Sequence, residues 1–169
     1  PVETYRALEE KEARIVDATC PNVARIHQLV AKAEAEGRTP LIIGEAHHPE
    51  VLAAASRSPH SVILEGPEEL EKWLAERPER REMPLLAVAQ TTCIQTIWRN
   101  AQKILKKECT NAEIFDTICL ATHKRQTEAA ELAAKVDVMV VVGDRKSANT
   151  KHLTEISRMR CPTVYQIEG

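Results

Sequence analysis

The chain has 169 residues, 43% hydrophobic and 28% charged, a balance that fits one ordinary domain or two small ones and excludes disorder. Lys plus Arg total 23 and Asp plus Glu total 25, and the net charge of -2 disfavours a dedicated nucleic-acid binder. No apolar run approaches the ~20 residues of a membrane span, and with aromatics at 3% the core must come from Val, Ile, Leu and Ala, while stacking platforms for bases are scarce.

In chain order, the N-terminal PVETYRALEEKEAR is charged and helical rather than a signal peptide. Short β-rich runs come next: RIVDA (14–18), PLIIG (40–44), SVILE (61–65), LLAVA (85–89), AEIFD (112–116), DVMVVVG (137–143) and TVYQI (163–167). Most are continuous apolar stretches, as in strands buried on both faces, so parallel sheets are expected. Between them lie helices with readable ends. Pro21 opens one and Gly37 closes it, with Val23, Ile26, Val30 and Ala33 along one face. Ile94, Ile97, Ile104 and Leu105 mark a helix over 94–107 whose last residues, Lys106 and Lys107, suit its dipole. Two more helices are predicted over 122–135 and 147–160. The charged stretch 67–84 reads as a solvated helix and turn. The βα alternation gives an α/β class, whose seven strands could form one sheet or two small parallel-sheet αβα lobes at 1–110 and 111–169. The polar, turn-rich start of KKECTNAEIFDT would join them.

The five cysteines, at 20, 93, 109, 119 and 161, are odd in number and point to thiols or metal ligands rather than a disulfide frame. Ligands of open α/β sheets bind beyond the C-terminal strand ends, and reactive residue types gather after these runs. Cys20 and Cys119 each precede a helix, whose positive end favours the thiolate that binds metal or attacks. The competing reading is a small buried hydrophobe. His48-Pro49-Glu50 is either a helix start or a substrate contact beside a proton donor. Ser147 and Asn149 are either helix caps or part of an anion site made of backbone N–H groups, and Thr91 and Thr92 carry the same double reading. His27, His60 and His152 are expected to be structural.

These residues resemble the motifs of the LytB/IspH family of 4-hydroxy-3-methylbut-2-enyl diphosphate reductases. DATCPNVARIH (17–27) is similar to the family's D-A-T-C-P segment, and IIGEAHHPEV (42–51) to its I-I-G-x-x-x-H-P-E-V. AQTT (89–92) resembles its Q-T-T, ICLATHKRQ (118–126) its I-C-x-A-T-x-x-R-Q, and VVVGDRKSANTKHL (140–153) its V-V-G-x-x-x-S-S-N-x-x-x-L. The resemblance implies three α/β lobes around a [4Fe-4S] cluster held by three cysteines. It implies loss of a hydroxyl as water after two electrons and two protons arrive, giving isopentenyl and dimethylallyl diphosphate in the non-mevalonate isoprenoid pathway. It matches Cys20 and Cys119 to cluster ligands, Glu50 to the acid of a proton relay and Thr91 to the threonine that supports it. His48, Thr92, Ser147 and Asn149 match substrate binders. Ferredoxin or flavodoxin is implied as electron donor, and the bacterial cytoplasm or a plastid as location.

The departures from the family pattern shape the expectation. The family's first cluster cysteine and two diphosphate-binding histidines have no counterpart here, nor does its final G-A-S segment. Ala148 replaces the second serine of S-S-N, and no glycine follows H-P-E-V. The chain therefore resembles the second and third lobes, with the first lobe or another chain as partner. Cys93 is a conceivable substitute ligand, though a structural role suits it better. The alternative is a non-catalytic α/β module that binds a phosphorylated ligand at Ser147 and Asn149 or assembles with another chain.

Overall fold

A computed structural model describes residues 1–168. They form an α/β protein of two compact units, the first comprising Pro1–Gln90 with Ile97–Thr117 and the second Thr91–Thr96 with the residues from Ile118 onward. Gly169, the end of the expected second lobe, lies outside the described residues. Among the described residues no helix is long and apolar enough to cross a membrane.

The first unit carries a four-stranded parallel sheet made of β1 (Thr39–Ile43), β2 (Val62–Leu64), β3 (Leu85–Ala89) and β4 (Ala112–Ile114), in the order β2-β1-β3-β4. Its helices are α1 (Val2–Glu9), α2 (Pro21–Ala35), α3 (Pro49–Ala55), α4 (Pro67–Glu76) and α5 (Gln95–Glu108), the last of which belongs to this unit from Ile97 onward. Side chains alternate across a strand. Ile42, Leu86 and Val88 accordingly meet Ile26, Val30 and Ala33 of α2 and Val51 and Ala54 of α3. Leu41, Ile43, Leu85 and Ala87 point the other way and are equally buried. From β2 to β3 the chain passes back across β1, and right-handed crossovers then carry α4 and α5 to that opposite face. There they bury Leu70, Leu74, Trp98, Ala101 and Leu105. Removing one such side chain, as in Leu86→Ala, costs about 2–5 kcal/mol.

The winding of the parallel sheet reverses between β1 and β3, the switch point beyond whose C-terminal strand ends open α/β sheets take their ligands. Gly44 follows β1 there, and Gln90 follows β3. Gln90 is 1% exposed, and its Oε1 accepts the Glu45 N–H at 3.0 Å, which ties the two strand ends together. Gly37, at φ +67, ends α2: the Arg38 N–H reaches Ala33 O at 2.8 Å and the Gly37 N–H reaches Glu34 O at 3.2 Å. This left-handed glycine cap is the stop that the sequence signals.

The second unit holds α6 (Leu120–Ala133), β5 (Val138–Val142), α7 (Ala148–Arg158) and β6 (Thr163–Ile167), with β5 and β6 paired in parallel. The Gly143 N–H continues the ladder to Ile167 O at 3.0 Å. A Cβ at Gly143 would collide with the Thr150 side chain, so glycine lets the first turns of α7 lie close to the strand end.

Four expectations are corrected. RIVDA (14–18) is not a strand: residues 13–20 form no regular structure and Val16 is 80% exposed. Among the described residues no strand pairs with it, and without ladder partners β-propensity has nothing to stabilise. The strands therefore number six among the described residues rather than seven. The units exchange at 117/118 rather than 110/111, because β4 is the edge strand of the first sheet. Burial on both faces holds for β1 and β3 but not for β5 and β6, whose Val138, Val140, Val142, Tyr165 and Ile167 are about half exposed or more. The charged stretch 67–84 is also more than a solvated face, since α4 buries Leu70 and Leu74.

The crowding at Gly44 gives a test of this core. An added Cβ would lie 2.7 Å from Gln90 Cβ and 3.0 Å from Val51 Cγ2. Gly44→Ala is expected to lower the urea midpoint by an amount equivalent to roughly 1–3 kcal/mol, the usual range for overpacking. An unchanged midpoint would mean that the β1–β3 junction has room to spare.

Candidate active site

Cys20, His48 and Glu50 belong to the first unit. Cys20 is exposed and occupies the N-cap of α2, with Pro21 at the first helical position and its carbonyl accepting the Ala24 N–H at 2.9 Å. Its Sγ lies 4.0 Å from Asn22 Nδ2. The irregular segment before it is held by Asp17, whose Oδ1 accepts the Thr19 N–H and whose Oδ2 accepts the Tyr5 hydroxyl, both at 2.8 Å. Hydrogen bonds from the Thr19 hydroxyl and amide, and then from Tyr5, lower the Asp17 pKa to about 2. Sequence reasoning assigns no role to Asp17 or Tyr5. An Asp two residues before a Thr, the pattern of an Asx turn, is the available signal for Asp17.

His48 caps α3: its Nδ1 accepts the Glu50 N–H at 3.2 Å. An accepting Nδ1 places the proton of a neutral ring on Nε2, which is then a donor. The Glu50 carboxylate sits on the first turn behind it, half-buried.

The second unit contains Thr91, Thr92, Cys119, Ser147 and Asn149. Cys119 is the N-cap of α6, and its own N–H donates to Thr91 O at 2.9 Å, joining two motifs 28 residues apart. Thr91 is 6% exposed. Ser147 is the N-cap of α7, where its Oγ accepts the Thr150 N–H at 3.3 Å. Asn149, half-buried, has an enclosed Oδ1 with no hydrogen-bond partner among the described residues, so it is more than a surface residue of that turn. His152 is buried as expected, with Nδ1 2.7 Å from Thr92 O.

All five cysteines are thiols. Cys93 is 4% exposed and directs its Sγ at Ile94 O, 3.6 Å away, which favours the packed reading. Burial pushes the Cys109 thiol up, the opposite of what a ligand or nucleophile needs. Burial, and then the charge of Arg57, lowers His27, so its ring stays neutral near pH 7.

Two parallel α/β units that carry thiols, a capping histidine and hydroxyls at their helix N-termini define an α/β protein with reactive residue types at its helix starts. The chain belongs to the LytB family, whose profile, described as "LytB protein", matches residues 1–169. A relative from Nitratiruptor sp., named 4-hydroxy-3-methylbut-2-enyl diphosphate reductase, is 34% identical over 170 residues, which cover 100% of this chain and 59% of the relative. One of the same name from Clostridium tetani is 36% identical over 168 residues, 99% of this chain and 25% of that protein. A solved (E)-4-hydroxy-3-methyl-but-2-enyl diphosphate reductase, described as the terminal enzyme of the non-mevalonate pathway, is similar with TM-score 0.62 and 31% identity, covering 99% of this chain and 59% of that one. The E-1-hydroxy-2-methyl-but-2-enyl-4-diphosphate reductase from Plasmodium falciparum gives TM-score 0.85 and 28% identity, covering 98% and 51%. The chain thus spans from a quarter to three fifths of the length of these relatives.

Asp17 offers a titration test. Its lowered pKa means that folding favours the carboxylate. That contribution is present above the ordinary value of 3.8 and is lost as pH falls through about 2. The Asp17 carboxyl carbon is expected to titrate by NMR near that lower value, and Tyr5→Phe to move the midpoint part of the way back. A midpoint at the ordinary value in the unmodified chain would mean that the turn before Cys20 does not form.

Proposed function

We propose that this chain supplies the acid, the relay hydroxyl and two cluster-holding cysteines of a 4-hydroxy-3-methylbut-2-enyl diphosphate reductase. The observation that carries the reading is the match of the LytB profile to residues 1–169, a span that contains all five motifs.

Cys20 and Cys119 are two donors of the type that the cofactor of this reading requires, the third cysteine would come with the first lobe, and among the described residues no group of three His, Cys, Asp or Glu is gathered to hold a metal. Cys20 and Cys119 are both helix N-caps, and iron–sulfur clusters take thiolates, which the positive end of a helix stabilises. A bound [4Fe-4S] cluster would supply electrons and a Lewis-acidic iron for the departing hydroxyl. The remaining work falls to this chain's own groups. Ser147 and Asn149, at the N-terminus of α7, hold the diphosphate, where backbone N–H groups and the helix dipole favour an anion. His48 donates from Nε2 to a substrate oxygen. Glu50 delivers the proton that converts the hydroxyl to water, Thr91 relays it, and Thr92 contacts the substrate. The first lobe of the family fold would come from elsewhere in the protein or from another chain, and a ferredoxin or flavodoxin would deliver the electrons. The setting proposed is the bacterial cytoplasm or a plastid.

Three measurements on the reductase containing this chain, reconstituted without oxygen, test the reading. Cys20→Ser and Cys119→Ser should each lose most of the iron, acid-labile sulfide and visible absorption; undiminished iron in both would remove them from the ligand set. Glu50→Gln keeps the size of the side chain and removes its proton, so turnover should fall by roughly 10²–10⁴, the scale of general acid catalysis, with iron content unchanged. Ser147→Ala combined with Asn149→Ala should abolish most pyrophosphate binding by calorimetry, and the binding of the unmodified protein should weaken with salt. Equal binding by the double variant would leave both residues as helix caps only.

A further inference from the structure

The segment Thr91–Ile94 leaves β3 and has no strand or helix of its own until α5 begins at Gln95. Its backbone N–H and C=O groups still need partners where they are buried, and two side chains without a chemical assignment supply them. Gln126, 4% exposed in the middle of α6, accepts the Gln95 N–H on Oε1 at 3.1 Å. Its Nε2 donates to Cys93 O at 3.0 Å and to Thr92 O at 3.5 Å. His152 of α7, 8% exposed, approaches the same Thr92 O with Nδ1 at 2.7 Å. A carbonyl only accepts, so that nitrogen carries a proton. The Cys119 N–H completes the set at Thr91 O.

Helical spacing makes the arrangement coherent. Gln126 lies two turns after Cys119, on the same side of α6, and His152 lies about one turn after Ala148 at the start of α7. α6 therefore presents its N-cap and its clamping side chain from one face, whereas in α7 His152 shares its face with Ala148 rather than with the Ser147 cap. All of these groups belong to the second unit.

We infer that Gln126 and His152 are positioning residues: by holding the backbone of Thr92, Cys93 and Gln95, they fix where the Thr91 hydroxyl stands relative to the Cys119 and Ser147 helix ends. The functional half of this inference rests on the reading of Thr91 as part of the proton relay. A purely space-filling role is a poor account of Gln126, because a leucine of similar size would fill the volume and leave the buried backbone groups unpaired.

Two experiments separate the clamp from the relay. The first is amide hydrogen exchange by NMR on the 169-residue chain. Gln126→Leu should speed exchange at Gln95 by roughly tenfold, the scale of one lost hydrogen bond, while amides in the interior of α6 keep their rates. Gln126→Asn, shorter but still polar, should show the same local effect if the leucine variant fails to fold. His152→Leu should shift the Thr92 carbonyl carbon, and His152→Asn, which keeps a donor near the place of Nδ1, should largely restore it. Unchanged exchange at Gln95 overturns the clamp.

The second experiment measures turnover in the reductase. Gln126→Leu and His152→Leu should lower kcat by roughly tenfold, with KM for the diphosphate substrate and iron content nearly unchanged and with recovery in His152→Asn. If Thr91→Val loses rate and neither clamp variant does, the positioning role is overturned. If Thr91→Val loses none, the relay reading fails, and the exchange data alone decide whether the clamp stands.

Discussion

The chain leaves the first sheet at Ala89 and again at Thr117, and one hydroxyl closes both exits. β3 runs to Ala89, whereas its neighbour β4 stops at Ile114, and the last ladder bond between them is Phe115 N–H to Ala87 O at 2.9 Å. The outer N–H and C=O of Ala89 would be buried without partners, at a cost of about 1–3 kcal/mol each. Thr117, 4% exposed, accepts the Ala89 N–H on Oγ1 at 2.8 Å and donates to the Ala89 carbonyl. A side chain thus ends the sheet where a longer β4 would have extended it. Thr91 comes two residues after one exit and Cys119 two residues after the other. Their proximity within the second unit, carried by the Cys119 N–H on Thr91 O, begins from where Thr117 stops the strands.

The candidate residues obey one positional rule. Cys20, His48, Cys119 and Ser147 are all residues immediately before the first turn of a helix. That position is where backbone N–H groups lack intrahelical partners and where the dipole is positive. Thiolates, carboxylates and phosphates gain the same stabilisation there. Short parallel strands followed by helices generate such positions repeatedly, and few residues are then needed to distinguish them.

These positions are readable in the sequence because helix starts have strong signals: Pro21 and Pro49 at first helical positions, Ser147 as a cap, Gly37 as a stop. PLIIG and LLAVA are legible for the same kind of reason, since a continuous apolar run suits a strand covered on both faces. RIVDA has an apolar centre at Ile15 and Val16 between the charged Arg14 and Asp17, and no neighbour to pair with, a fact that resides in the topology. DVMVVVG and TVYQI do form strands, but their apolar character exceeds what the second unit covers, so composition overstates their burial. Gln126 and His152 are illegible as backbone partners. Their importance lies in carbonyls 33 and 60 residues away, and no local pattern encodes that distance.

His48 shows why capping and chemistry need not compete as explanations. The bond from the Glu50 N–H to His48 Nδ1 is a structural cap in every respect. The same bond makes Nδ1 an acceptor and so fixes the neutral ring in the form protonated at Nε2. It also draws the backbone of Glu50 against the imidazole, which keeps the carboxylate on the first turn of the same helix. A cap made by serine would start α3 equally well and would leave neither a ring donor nor a defined tautomer. The helix start therefore does not by itself account for histidine at this position.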